Sequence, residues 1–185
     1  MKIKKYFSIV SCVILLGMFI SLDVNATSNA QIAQLYYDSY LEQTALSGSD
    51  EYDSDCYDIV DINGDKIPEL LLAKQSGTAY LYTFDVSTYS LKKLKSRPLG
   101  KMKADMYYSK KKHLVCFVQG DTGGKTYTVF KYKGKKVKKQ YKLTWYNGRY
   151  VEAGYKYNGK RISQSAGERK EQNIARKFKE LRYYY

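Results

Sequence analysis

Residues 126–163 read TYTVFKYKGKKVKKQYKLTWYNGRYVEAGYKYNGKRIS. Aromatic and β-branched residues alternate with polar ones, the period of a strand with one covered face. Three turn dipeptides punctuate the stretch: Lys133-Gly134, Asn147-Gly148 and Asn158-Gly159. Asn-Gly accepts positive φ at both central positions of a two-residue hairpin. The pattern therefore predicts strands at 126–132, 136–145, 149–157 and 160–163, joined by tight turns. Phe130-Lys-Tyr-Lys-Gly-Lys-Lys-Val137 and Tyr155-Lys-Tyr-Asn-Gly-Lys-Arg-Ile162 echo each other. Two copies of one hairpin pattern do not make a repeat array.

Upstream, the same period predicts strands at 57–61, 69–74, 79–85, 90–95, 104–109 and 113–119, with Asp121-Thr-Gly-Gly124 as a longer loop. A helix is predicted on each side. Ser28-x-x-Gln31 is a capping box, followed by Ile32, Leu35, Tyr36, Tyr40 and Leu41 at helical spacing. Ser165-x-x-Glu168 opens the second, with Ile174, Phe178 and Leu181 on one face and five basic residues on the other. The expected fold class is α+β: a curled antiparallel β-meander over 57–163, flanked by an N-terminal helix at 27–47 and a C-terminal helix at 165–182.

The first 26 residues have the three parts of a secretory signal peptide. Lys2, Lys4 and Lys5 precede an apolar run from Ser8 to Leu22, and Val24-Asn25-Ala26 puts small residues at −3 and −1 of a cut after Ala26. Cys12 lies inside the apolar run, too early for a lipoprotein cysteine. The expectation is Sec export, cleavage, and one domain over 27–185, secreted or associated with the cell surface. Cleavage leaves Cys56 and Cys116, which form a disulfide or remain two buried thiols.

Charge is divided unevenly. The whole chain carries 32 Lys+Arg against 18 Asp+Glu. Ten acids and one base lie between Thr27 and Glu69, whereas 28 bases and seven acids follow from Leu70 onward. Such asymmetry suits a polyanion partner, or a cation that discharges the acidic part. Lys131, Lys133, Lys135, Lys136, Lys138, Lys139 and Lys142 interleave with Tyr127, Tyr132, Tyr141 and Trp145, and form the candidate polyanion surface. Lys outnumbers Arg there, which favours diffuse charge attraction over bidentate readout. In an exported protein the expected partner is an anionic wall polymer, a glycan or an extracellular protein rather than nucleic acid. The bland reading is a solvated lysine face that protects strand edges.

The candidate metal site is Asp61-Ile-Asn-Gly-Asp-Lys-Ile-Pro-Glu69. Ca²⁺ takes six to eight oxygens, from carboxylates, amides and backbone carbonyls. Asp61, Asn63 and Asp65 alternate around Gly64, and the carbonyl of Ile67 and the carboxylate of Glu69 complete a structural site, with Asp55 and Asp58 as outer oxygens. The loop is not an EF-hand: its glycine is at position 4, and position 12 is Leu72. Tyr57-Asp-Ile-Val-Asp-Ile-Asn-Gly-Asp-Lys-Ile-Pro-Glu-Leu-Leu-Leu72 resembles the calcium loop of FG-GAP/VCBS-type repeats, in the single-copy form seen in exported proteins of Gram-positive gut bacteria. The resemblance implies side-chain ligands at Asp61, Asn63, Asp65 and Glu69. Asn63 replaces an acid, and Lys66 the usual glycine. The seven-bladed propeller of that family is too large for 27–185, so the loop is carried over and the propeller is not.

No catalytic set is read. The single His113 follows three lysines, and His113 and Cys116 are three apart on a strand, on opposite faces. Asp121-Thr-Gly123 lacks the second loop and the apolar setting of an aspartic protease. The expected function is thus a secreted, non-catalytic Ca²⁺-binding domain that attaches to an anionic polymer or an extracellular protein. The alternative is an extracellular enzyme or an enzyme inhibitor.

Overall fold

The computed structural model describes residues 28–45, 55–74, 77–98, 105–121, 123–147 and 153–183. The signal-peptide expectation lies outside them. In chain order the elements are α1 (Asn29–Ala45), β1 (Cys56–Val60), β2 (Glu69–Lys74), β3 (Thr78–Asp85), β4 (Ser90–Pro98), β5 (Asp105–Ser109), a 3₁₀ turn (Lys110–Lys112), β6 (Leu114–Asp121), β7 (Gly124–Lys133), β8 (Lys136–Tyr146), β9 (Gly154–Tyr157), β10 (Lys160–Ile162), α2 (Gln164–Lys177), β11 (Lys179–Glu180) and β12 (Arg182–Tyr183).

The expected α+β class is what the structure has, but the strands form two antiparallel sheets. The first runs β12-β1-β2-β3-β4, and the second runs β10-β9-β8-β7-β6-β5-β11. Their burial explains why. Leu70, Leu71, Leu72 and Ala73 are all buried, so β2 is covered on both faces. A strand covered on both faces reads as a continuous apolar run rather than an alternating one. Leu71 and Ala73 meet Met106, Phe117, Phe130 and Tyr132 of the second sheet in a core between the sheets. Leu70 and Leu72 instead meet Ala33, Tyr37 and Leu41 of α1. On the far side, Cys116, Val118, Val129 and Leu143 of the second sheet pack with Ile174 of α2. The result is four layers: helix, sheet, sheet, helix.

Four local expectations are corrected. Of the expected α1 stripe, Leu41 is buried and Ile32 and Tyr40 pack beside it, whereas Leu35 is 64% exposed and Tyr36 41%, and Ala33 and Tyr37 are buried instead. Sheet contact, not overall hydropathy, selects the buried face. α2 ends at Lys177 rather than 182: the Phe178 N–H bonds to the Ile174 carbonyl at 3.0 Å, and the chain becomes extended. β11 then pairs with β5 and β12 with β1. Leu181 between them is buried in the inter-sheet core. Strand pairing satisfies edge groups of both sheets that a longer helix would leave open.

Asn147-Gly148 does not make a two-residue hairpin. Tyr146 pairs with Gly154, so 147–153 connect the strands, and Leu143 faces Tyr157. A tight turn at 147–148 would put Glu152 opposite buried Leu143, and register is held where a face is buried. Conversely, Asp121 pairs with Gly124, so the expected longer loop there is a two-residue connection. The other two hairpins form as read: Asn158 and Gly159 have φ of 50° and 87°, and Gly134 has φ of 56°.

Cys56 and Cys116 are both thiols, buried in different layers. Burial pushes the Cys116 thiol up to about 12, far from reactive.

Candidate cation loop and its basic neighbour

The β1–β2 connection curls as its sequence suggests. The Asp61 carboxylate accepts the N–H of Gly64 at 2.7 Å and of Lys66 at 3.1 Å. Asn63 Oδ1 accepts the Asp65 N–H at 2.9 Å, and Asp65 Oδ1 accepts the Ile67 N–H at 2.9 Å. These Asx-type bonds hold a tight loop without any help from a sheet. Gly64 has φ of 85°. Lys66 has φ of 70°, a left-handed conformation that favours glycine, at the second of the two loop positions where the resemblance has glycine.

Glu69 is fully buried at the start of β2. Its Oε2 accepts the Ile62 N–H at 2.9 Å, while Oε1 has no hydrogen-bond partner. An orphaned carboxylate oxygen is costly in a dry interior. Desolvation pushes the Glu69 carboxyl up to about 8, and the Asp65 and Asp61 charges push in the same direction.

Three residues absent from the sequence reading of the site hold the loop in place. The Tyr37 hydroxyl of α1 donates to the Pro68 carbonyl at 2.9 Å. The Tyr132 hydroxyl of β7 lies among Glu69, Thr83, Asn63 and Asp65, and burial pushes it up to about 12. His113, with φ of 54° after the 3₁₀ turn, donates from Nδ1 to the Ile62 carbonyl. A Cβ on Gly64 would stand 3.3 Å from His113 Cε1, so the imidazole packs against the turn. His113 is thus half-buried against the loop. The spacing of Ala33, Tyr37 and Leu41 carried a signal for Tyr37; the other two depend on pairing between sheets.

The expected outer oxygens do not join the loop. Asp58 is buried beside Tyr108, and Asp55 stands 4.0 Å from the Lys74 ammonium. Among the described residues no three His, Cys, Asp or Glu side chains gather closely enough to enclose a metal. Asp61, Asn63, Asp65 and Glu69 are arranged along a pre-curled loop, and closing them on an ion takes side-chain rotation.

The basic hairpin lies against this loop. The Asn63 amide donates to the Gly134 carbonyl at 3.4 Å, at the turn between β7 and β8. Lys131 pairs with Lys138, and Lys133 with Lys136. Directly opposed residues share a face, and opposed like charges destabilise a sheet. Lys135 sits at the turn, where it and Lys92 lower the pKa of Asp85, after the stronger effect of the Ser87 hydrogen bonds. Not all seven lysines share one surface. Lys139 is opposite Phe130 and Lys142 opposite Thr128, on the other face of the sheet. The Lys131 ammonium donates to the Lys112 carbonyl.

A cleft of about 320 Å³ opens between α2 and the second sheet, lined by Tyr107, Lys125, Tyr127, Glu171, Ile174, Ala175, Phe178 and Glu180. Glu171 accepts the hydroxyls of Tyr127 at 2.6 Å and Tyr155 at 2.7 Å. Burial, then the bond to Glu171, raises both phenols above their usual range. They stay protonated as donors, and the carboxylate is spoken for on both oxygens.

Comparison with protein-family models, curated proteins and solved structures finds no match to this chain. The FG-GAP/VCBS likeness therefore stands on residues 57–72 alone.

Proposed function

We propose that this chain is an exported, non-catalytic binding domain with a structural Ca²⁺ loop at Asp61, Asn63, Asp65, Ile67 and Glu69, which attaches through its lysine hairpin to an anionic wall polymer, a glycan or an extracellular protein. The observation that carries the reading is one juxtaposition: a hairpin end with opposed lysine pairs lies beside a loop whose buried Glu69 has an unpartnered oxygen. Edge protection accounts for only part of the lysines. β9 pairs with 143–146 of β8 and Asn158 bonds the Lys142 backbone, leaving 136–141 without a paired strand on that side among the described residues, but β7 is an interior strand. Lys131 and Lys133 thus oppose other lysines at a cost to the fold, and an anionic partner is what would relieve it.

Retention on immobilised dextran sulfate across a salt gradient tests the surface. The Lys133→Gln/Lys136→Gln/Lys138→Gln variant elutes at markedly lower salt if the reading is right. Equal elution of variant and parent sinks it. Calorimetry with Ca²⁺, together with melts in Ca²⁺ and in chelator, tests the loop, since a ligand of the native state raises its stability.

The second reading, an enzyme or enzyme inhibitor, draws on the α2 cleft. Both Glu171 oxygens are bonded to phenols, so the cleft offers a binding surface rather than a poised acid–base pair.

A further inference from the structure

We infer that the loop and the hairpin are coupled, so that a divalent cation held by Asp61, Asn63, Asp65 and Glu69 raises the affinity of the lysine hairpin for an anionic polymer. The inference rests on the reading just given and adds regulation to it.

Three contacts join the two elements. The Asn63 amide bridges Asp65 Oδ2 at 2.7 Å and the Gly134 carbonyl at 3.4 Å. Tyr132 stands between Lys131 and Lys133 in β7 and places its hydroxyl among Glu69, Asn63 and Asp65. His113 bonds the Ile62 carbonyl through its ring, while its own carbonyl accepts the Tyr132 N–H at 2.9 Å. The loop therefore touches the hairpin at its turn, at its inward tyrosine and through the preceding turn.

The sign of the coupling follows from charge. Asp61 and Asp65 lie at the same end of the sandwich as Lys133, Lys135, Lys136 and Lys138, and among the described residues no ion pair joins them. The carboxylates act on the lysines as a field that repels an arriving polyanion. A doubly charged cation in the loop cancels about two of those charges, and the lysines then meet the polymer with less competing potential. Asn63 adds a mechanical link: turning its Oδ1 toward an ion takes the amide away from Asp65 and Gly134, so the hairpin turn shifts with the loop. Two unit charges removed within about one Debye length of the polyanion change affinity by about three- to tenfold at low salt, and less at physiological salt.

The test measures affinity of the full chain for immobilised dextran sulfate at constant ionic strength, in chelator and in millimolar Ca²⁺, with calorimetric Ca²⁺ titration of the same preparations. The expected result is a several-fold gain with Ca²⁺ that shrinks as salt rises. The Asp61→Asn/Asp65→Asn variant should bind the polymer in chelator about as tightly as the parent does in Ca²⁺, and should not respond to Ca²⁺. If that variant fails to fold, Asn63→Asp replaces it: the added negative charge should weaken binding in chelator and enlarge the Ca²⁺ gain. Calcium heat with equal polymer affinity in both conditions overturns the coupling and leaves the cation loop standing. No calcium heat removes the cation loop and the coupling with it. A Ca²⁺ gain that persists in Asp61→Asn/Asp65→Asn means that Ca²⁺ bridges polymer to protein elsewhere, and overturns the inference.

Discussion

The two helices cover equivalent outer faces of the two sheets and are held there by different chemistry. α1 lays Ala33, Tyr37 and Leu41 on Leu70, Leu72 and Phe84, an apolar contact with the Tyr37–Pro68 and Tyr40–Tyr82 bonds at its rim. α2 has less apolar area to offer: Ile174 and Gly167 are its buried residues. It is fixed instead by Glu171, which takes one hydroxyl from β7 and one from β9. Gly167 lets the Tyr155 ring approach, since a Cβ there would stand 2.1 Å from Tyr155 Cγ. One layer is held mainly by buried area, the other by close shape and directed bonds.

Removing area from the first layer should cost most. Tyr37→Ala deletes a fully buried ring and the clamp on Pro68, and should lower stability by about 3–5 kcal/mol in denaturant melts. An effect under about 1 kcal/mol would mean that α1 is not anchored through that ring.

The loop beneath α1 should then show itself through pH. The folded-state pKa of Glu69 is raised to about 8 from a usual 4.5. Between those values the folded state binds more protons than the unfolded one, so stability is full below about 4.5 and falls as pH rises through 8. Melts in chelator should lose a few kcal/mol across that window. Glu69→Gln should flatten the profile, and a parent profile already flat would place the orphan oxygen in water.

In the second layer, Gly167→Ala drives a methyl into the Tyr155 ring. Its cost of about 2 kcal/mol should appear although alanine favours helix, because overpacking outweighs propensity. Glu171→Gln keeps an acceptor but loses the charge in both phenol bonds, for about 1–2 kcal/mol. The smallest effect belongs to α1 again. Leu35→Gln should stay within about 0.5 kcal/mol, because Leu35 faces solvent. A larger loss would show that something else covers that face.

Much of the local structure was legible. Ser28 and Gln31 form the capping box read from their spacing, with bonds of 2.7 and 3.3 Å. Ser163, not Ser165, caps α2, accepting the Ala166 N–H at 3.3 Å. The curl at Asp61–Asp65 was visible because Asp, Asn and Gly make their bonds within a few residues. What surrounds the loop was not. Tyr37 meets Pro68 across 31 residues, His113 meets Ile62 across 51, and Tyr132 meets Glu69 across 63, and no periodicity marks such meetings.

The same division runs through the whole fold. Caps, glycine turns and alternating strands are decided within a turn or a strand by bonds between near neighbours, so composition and spacing carry them. Three outcomes depend instead on which surfaces meet: the separation of one run of strands into two sheets, the choice of Tyr37 over Leu35, and the departure of 178–183 from the helix to pair with both sheets. Burial of a face and pairing of an open edge are worth more than local preference there, and both exist only once distant segments have come together.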